Sequence, residues 1–309
     1  MKKRAKITKT TIQKYVFVIA FLILPLTQFA IFYVYMNFSN MMLAFKGMRV
    51  DSTTYWVGFE NFKSVLRGVD TEILKICFKN NLSMFFWTLI FGMPLNILFS
   101  FYLFKKKFGS SIIRIVYMLP NMVSGVVMSL LFMKFVELGL PTFFETSFGS
   151  TMPNLIRNNN TAFGVQVFYT LWLGFSTSII IYSNAMFALD GGMIEACNID
   201  GASNIQELWY IVVPNIMPTI STYMITGVAS IFTISGSLYL FYGLNGVPKD
   251  TYMMGFYLFR IAMVGDLTAY PMAAATSLLI TAVTIPLTFG TRWLLNRFDP
   301  LREEKTKVR

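Results

Sequence analysis

Histidine is absent from the 309-residue sequence, and cysteine occurs only twice. Without an imidazole the chain has no histidine-based acid–base catalyst, no Ser-His triad and few ways to bind zinc. Acidic residues number only 15. Because no nucleophile–base pair or buried acid pair can be assembled from them, the sequence argues against an intramembrane enzyme, and no metal site is expected.

Two further motifs are missing. The sequence contains no G-x-x-x-x-G-K-[ST] phosphate-binding loop, so the chain is not expected to hydrolyse ATP itself. Its apolar runs also carry almost no Asp, Glu or Lys away from their ends. Since an ion-coupled secondary transporter usually needs such residues to carry the coupling ion, that class is the less favoured alternative.

The residues that are abundant belong in a lipid bilayer. Hydrophobic residues make up 55% of the chain and aromatic residues 17%, whereas charged residues make up 13%. The formal net charge of +11 comes from basic residues that cluster beside apolar runs. This distribution fits the positive-inside bias of membrane proteins better than the continuous basic face of a nucleic-acid-binding protein.

Six apolar runs are long enough to cross a membrane as helices, which predicts an all-α, polytopic membrane protein. They are expected at about Tyr15–Met36, Asn80–Phe104, Ile112–Leu138, Thr161–Leu189, Ile220–Phe241 and Thr268–Leu294. The first run lacks the short core and cleavage site of a signal peptide, so we expect it to be retained. Leu138–Asn160 is expected to be an outer loop rich in Pro, Gly, Ser and Asn, with its flexible end at Asn158–Asn160.

The basic residues predict the orientation of these runs. They are concentrated in a segment at residues 1–14, in Lys105–Lys107 and in a tail at residues 295–309. We therefore expect both termini in the cytoplasm and a transmembrane domain over residues 15–294. Cys77 and Cys197 then lie on opposite sides of the membrane and cannot pair.

Residues 190–218 connect the fourth and fifth runs and contain acids but neither Lys nor Arg. Asp200 is expected to cap a helix that begins near Gly201 or Ala202, and Gly201 permits a turn with positive φ. The small side chains of Ala196 and Ala202 allow another backbone to approach closely. From chemistry alone, this loop is either a capped helical hairpin that joins two spans or a docking surface.

Polar residues form a stripe along each of the two runs that flank this loop. Their spacings of three, four or seven residues place them on one helical face, which in a membrane is directed toward protein or water. Such a face either packs against another helix or lines a substrate path. The stripes consist of Gln166, Thr170, Gly174, Thr177 and Asn184 in the fourth run, and of Thr226, Ser230, Thr233 and Ser237 in the fifth.

The loop resembles the EAA loop of binding-protein-dependent ABC importer permeases. Its Glu195-Ala196, Asp200-Gly201-Ala202, Pro214 and Pro218 are similar to the family form E-A-A-x-x-D-G-A followed by a gap and I-x-x-x-P. Four other segments resemble the carbohydrate branch of this family: Trp56–Phe62, Tyr117–Pro120, Trp172–Phe175 and Gly246–Thr251. In place of the aromatic residue often found three positions after the glycine of W-x-G-[FY], this chain has Thr177.

The resemblance implies the fold of a type I ABC importer permease in the bacterial plasma membrane. It implies import of a sugar or oligosaccharide with a second permease, an ATPase dimer that binds ATP and Mg, and an extracellular solute-binding (lipo)protein. This chain itself would bind no cofactor, and a non-carbohydrate solute is the alternative substrate. The implied ATPase-coupling residues are Glu195, Ala196, Asp200, Gly201 and Ala202, and the implied substrate-path residues are Thr170, Trp172, Gly174, Thr177, Thr226, Ser230 and Thr233.

Overall fold

The computed structural model of the chain describes residues 9–67 and 71–297, and within these ranges the protein is almost entirely helical. Residues 1–8 of the expected basic segment and residues 298–309 of the expected tail lie outside the described residues. The described chain divides into two compact units. The first comprises residues up to 68 together with residues 265–279, and the second comprises residues 69–264 and those from 280 onward.

The first unit contains the N-terminal apolar helix and a small aromatic hairpin. Its helices and strands are α1 (Lys9–Gln28), a π-helical turn (Phe29–Tyr35), α2 (Met36–Leu43), β1 (Lys46–Met48), β2 (Thr54–Trp56), α3 (Glu60–Arg67) and a 3₁₀ turn (Leu267–Ala269). The strands pair antiparallel, with Gly47 opposite Tyr55.

The aromatic residues of the W-V-G-F-E-N-F segment hold this hairpin together. Trp56 stacks on Phe45 at 5.9 Å between ring centroids, and Phe59 and Phe62 pack against the same ring. The Asn61 amide donates hydrogen bonds to the carbonyl oxygens of Ala44 and Lys46 at 2.8 Å. Within the first unit, this segment is therefore a packing motif.

The second unit contains the remaining helices. They are α4 (Thr71–Trp87), α5 (Met93–Phe104), α6 (Ser110–Met122), α7 (Gly125–Lys134), α8 (Leu140–Phe148), α9 (Asn159–Phe187), α10 (Gly191–Ile199), α11 (Asn204–Glu207), α12 (Val213–Asn215), α13 (Met217–Ser230), α14 (Leu238–Tyr242) and α15 (Met254–Val264), with α16 (Tyr270–Arg297) shared with the first unit. Short π-helical turns at Thr88–Gly92, Phe135–Gly139 and Leu208–Val212 join helices, and a 3₁₀ turn covers Lys249–Thr251.

Five helices of the described chain are long and apolar enough to cross a membrane. They are Gln13–Leu43, Glu72–Phe104, Gly125–Phe148, Asn159–Phe187 and Leu267–Arg297. A sixth is obtained if Asn204–Asn215 and Met217–Ser230, which meet at a 68° bend, are counted as one span. The prediction of an all-α polytopic protein is confirmed, apart from the two-stranded hairpin.

The third predicted span is wrong as a single helix. Helix α6 ends at Met122, Val123 is extended, and α7 begins after Ser124, whose carbonyl accepts from the Met128 N–H at 2.9 Å. The helical chain then continues through α8 to Phe148, so the first half of the expected loop Leu138–Asn160 is helical, and only residues 149–158 form an irregular connection. Pro141 fits the first turn of α8, where its missing N–H costs nothing, and Gly149 ends that helix with φ of +62°.

The fifth predicted span is also broken. Helix α13 ends at Ser230, and residues 231–237 are not helical before α14 begins. The buried Asn81 amide of α4 donates to the carbonyls of Ile231 (2.6 Å) and Ile234 (3.3 Å), and its oxygen accepts from the Met254 N–H (2.9 Å). A side chain from another helix therefore satisfies backbone groups that the break releases, as irregular backbone inside a membrane protein requires.

Helix α9 is the centre of the second unit. The Ser100 hydroxyl of α5 donates to the Ile179 carbonyl at 3.1 Å, and the Ser129 hydroxyl of α7 lies 2.7 Å from that of Tyr169. The Asn121 amide of α6 donates to the hydroxyls of Ser176 and Thr177. The third and second spans are thus tied to α9 by hydrogen bonds at several depths.

Candidate functional site

The acidic loop between α9 and α13 begins with two short helices, α10 and α11, whose N-terminal ends are capped by side chains. Asp190 caps α10, because its side chain accepts a hydrogen bond from the Gly192 N–H at 3.0 Å. At the other end of α10, the Gly201 N–H donates to the Asn198 carbonyl and the Ala202 N–H donates to the Cys197 carbonyl. This bonding pattern with Gly201 at φ of +74° is a Schellman motif.

The predicted positive φ at Gly201 is confirmed, whereas the prediction that Asp200 caps the next helix is wrong. Asp200 stands at the C-terminal end of α10 and caps no following helix. Ser203 caps α11 through a capping box, in which its backbone N–H donates to the Gln206 side chain at 2.8 Å. The cap lies at Ser203, three residues after Asp200, because the glycine turn must be completed before a new helix can start.

The loop strongly exposes three bulky apolar or aromatic side chains. Ile199 is 85% exposed, Ile205 is 70% exposed, and Tyr210 is 79% exposed. The predicted coupling residues share this exposure: Glu195, Ala196, Asp200 and Gly201 are exposed, and Ala202 is half-buried. We name Ile199, Ile205 and Tyr210 the apolar loop surface. Sequence reasoning missed these three residues, although bulky apolar residues in a polar loop were the signal that could have revealed them.

Other residues of the loop pack into the second unit. Leu208 and Val212 are buried in a cluster with Ile97 and Phe101 of α5 and with Tyr182 of α9. The loop is thus a folded element with both buried and exposed residues, and not a free connection.

The predicted polar face of α9 is divided between solvent and protein. Gly174 and Thr177 are exposed and Thr170 is half-buried, whereas Gln166 is buried with neither of its amide atoms hydrogen-bonded. A Cβ added to Gly174 would meet nothing within 4 Å. Exposed backbone and an accessible hydroxyl therefore lie together on this face.

Trp172 lies on the other side of α9. Its ring packs against Phe132 of α7 (5.9 Å) and Tyr169 (6.2 Å) in an aromatic cluster. The structure therefore does not bring Trp172 together with Thr170 and Gly174, and it places the ring in a packing contact.

The predicted path residues Thr226 and Ser230 of α13, and Thr233 in the break that follows it, keep their hydroxyl groups close to the backbone. Thr226 and Ser230 donate to the carbonyls four residues earlier, and Thr233 donates to the Ser230 carbonyl. Thr226 and Thr233 are exposed, and Ser230 is half-buried. Because their hydrogens are already committed, these three hydroxyl oxygens offer mainly acceptor sites to a ligand.

A cavity of about 120 Å³ lies between the second span, α9 and α13. It is mostly apolar and is lined by Phe85, Thr88, Leu89, Met93, Asn96, Ser178, Tyr182, Tyr223, Met224, Gly227 and Ile234. The seven predicted substrate-path residues are not part of this lining.

A family model identifies the class of protein that combines this fold and loop. Residues 80–303 match the model of the binding-protein-dependent transport system inner membrane component. The match covers the broken helices, the polar faces and the acidic loop. The chain belongs to this family and is a multi-pass permease component of an importer, so it is a transport subunit and not an enzyme.

Two relatives of the chain are named as permease proteins of sugar transport systems. The chain is 27% identical over 273 residues to the multiple sugar-binding transport system permease protein MsmF of Streptococcus mutans, which covers 84% of this chain and 89% of the relative. It is 22% identical over 265 residues to the arabinooligosaccharides transport system permease protein AraP of Bacillus subtilis, covering 84% and 82%.

A solved structure has a similar fold. The crystal structure of a bacterial ABC transporter involved in the import of the acidic polysaccharide alginate matches with a TM-score of 0.78 at 18% identity. The match covers 94% of this chain and 98% of that chain. The predicted type I permease fold is thus confirmed.

Proposed function

We propose that the chain is a permease subunit that imports a sugar or oligosaccharide. MsmF and AraP, which match most of this chain, are both named as transporters of sugars. In this proposal a second permease completes the path, an extracellular solute-binding protein delivers the sugar, and an ATPase dimer supplies the energy. Purification of the tagged chain from its native membrane should recover these three partners, and recovery without an ATPase would contradict the proposal.

The apolar loop surface is the observation that carries the coupling role. A permease without a nucleotide site receives the energy of ATP only through a contact that differs between the ATPase's states. Ile199 and Ile205 are exposed. Ile199 ends α10 and Ile205 lies in α11, so the two residues flank the turn that contains Gly201. We assign this surface, with Glu195, Ala196, Asp200, Gly201 and Ala202, to the ATPase groove. ATP and Mg then bind to the partner ATPase.

In this proposal the substrate path follows the exposed polar faces of α9 and α13 and the break after α13. Hydroxyl oxygens and exposed backbone exchange hydrogen bonds with the hydroxyl groups of a neutral sugar and need no fixed charge. The path residues that we retain are Thr170, Gly174, Thr177, Thr226, Ser230 and Thr233. Trp172 is not retained, because its ring packs on the other side of α9.

Gly174→Leu is expected to reduce sugar uptake about tenfold or more, because the new side chain would project into the path. Gly164→Leu is the matched control: both glycines lie in α9, both are exposed, and neither has an atom within 4 Å of an added Cβ. Membrane abundance of both variants should equal that of the unaltered chain. Equal uptake by the two variants would show that the Gly174 face does not line the path.

We further propose that both termini lie in the cytoplasm. Single cysteines at Glu60 and Asn159 should react with an impermeant thiol reagent in intact cells, whereas a cysteine at Lys106 should react only after lysis. All three positions are exposed, so burial does not prevent labelling. Labelling of position 106 in intact cells would overturn this orientation.

A further inference from the structure

A single ion pair joins the acidic loop to the second span. Lys105 Nζ lies 2.7 Å from Glu207 Oε2, across 102 positions of the sequence. The Glu207 side chain is 1% exposed and that of Lys105 is 18% exposed. The neighbouring Lys106 and Lys107 are exposed, so this lysine differs from the other two in its run.

The buried carboxylate depends on this lysine. Glu207 Oε1 has no hydrogen-bond partner, and the ion pair is formed through Oε2 alone. Removing one member of a buried pair leaves an uncompensated charge, which is much more costly than replacing both members by neutral groups. Lys105→Met should therefore disturb the loop more than a double substitution that removes both charges.

The pair lies where the loop and the span already touch. Glu207 ends α11, and Leu208 and Val212 immediately after it pack against Ile97 and Phe101 of α5. Apolar contacts hold the two elements together without fixing their direction. A hydrogen-bonded ion pair has a defined geometry, so it fixes α11 against the end of α5 at one point.

We propose that Lys105 and Glu207 are a positioning pair, which makes the second span move together with the coupling loop. This inference rests on the proposed role of the loop in ATPase coupling. When the ATPase displaces the loop, the apolar cluster and the ion pair carry the displacement to α5. Without the pair, the loop shifts against α5 and hydrolysis no longer produces a matching movement of the span.

The local part of this proposal is tested by the accessibility of Leu208, which is 2% exposed. In a chain with Cys77→Ser, Cys197→Ser and Leu208→Cys, labelling by a membrane-permeant maleimide should be slow. Lys105→Met should raise the labelling rate about tenfold, because the unpaired carboxylate draws the loop toward water. Lys106→Met, the matched control, should leave the rate unchanged. Equal rates in the Lys105→Met and Lys106→Met chains would overturn the link.

The positioning part is tested by the double variant Lys105→Met with Glu207→Gln in the assembled transporter. It should restore slow labelling but keep the ratio of sugar imported to ATP hydrolysed about threefold low, because the neutral pair lacks the direction of the ion pair. Lys105→Arg should retain the normal ratio. A double variant with normal labelling and a normal ratio would show that the pair is only structural and would overturn the proposal.

The two levels of the proposal fail in different ways. If substitutions of the apolar loop surface leave the ATPase bound and stimulated, the coupling role of the loop is wrong. The maleimide experiment needs no ATPase, so it decides the existence of the link in either case.

Discussion

Replacing Ile199 with aspartate is expected to abolish most sugar uptake and most permease-stimulated ATP hydrolysis. Ile199 is 85% exposed in the chain alone, so a polar side chain is tolerated there during folding. In the assembled transporter the carboxylate would be buried against the ATPase without a partner, which costs several kcal/mol and corresponds to a loss of ~100-fold or more in binding. Co-purification of the ATPase and uptake of labelled sugar provide the measurements.

Phe108→Asp is the matched control for this experiment. Phe108 is fully exposed, and it lies in the short connection after α5, outside the apolar loop surface. The same apolar-to-acidic change there should leave ATPase binding intact. Position 199 is also a cleaner test than Gly201, because a side chain at φ of +74° adds backbone strain. Normal uptake in the Ile199→Asp chain would place the coupling contact elsewhere.

Asn81→Leu is expected to cause a large loss of stability in the second unit. The two side chains are similar in size, so the change removes hydrogen bonds and creates little cavity. It leaves the Ile231 carbonyl and the Met254 N–H buried without their side-chain partner. Since each unsatisfied buried group costs roughly 1–3 kcal/mol, we expect the combined loss to exceed about 3 kcal/mol.

The measurements for Asn81→Leu are the midpoint of thermal unfolding in detergent and the amount of chain in the membrane. Asn184→Leu is the matched control, because Asn184 is also an asparagine in a span but is exposed. The control should unfold near the temperature of the unaltered chain. An unchanged midpoint for Asn81→Leu would mean that the break at residues 231–237 needs no side chain to support it.

The sequence predicted the helices and the acidic loop because both depend on local signals. Apolar runs located the first, second, fourth and last spans to within several residues, except that the first and second extend further in the structure. The turn at Gly201 was predicted because few residues adopt positive φ as easily as glycine does. The cap of the next helix was wrongly predicted at Asp200. The sequence alone does not show that Asp200, Gly201 and Ala202 form the Schellman motif that ends α10 before the next helix begins.

The features that the sequence did not predict depend on distant residues. The fifth span is apolar enough to be continuous, and its break becomes evident only when Asn81, 150 positions earlier, is placed beside Ile231. The pairing of Lys105 with Glu207 is also not visible in the sequence, because Lys105 is one lysine of a basic run and Glu207 is one acid of a loop. The polar face of α9 was predicted from spacing, but spacing could not show that Gln166 is buried and Gly174 is exposed.

The two caps of the acidic loop also determine what docking costs. The Schellman motif ends α10 and the capping box begins α11, so the backbone between them is ordered before any partner arrives. A segment that folds only on binding loses conformational entropy at that moment, which weakens the complex. This loop has already lost that entropy during its own folding. In the complex that we propose, the ATPase would therefore dock on a loop that is already ordered, and the energy of the contact would be available for moving the spans.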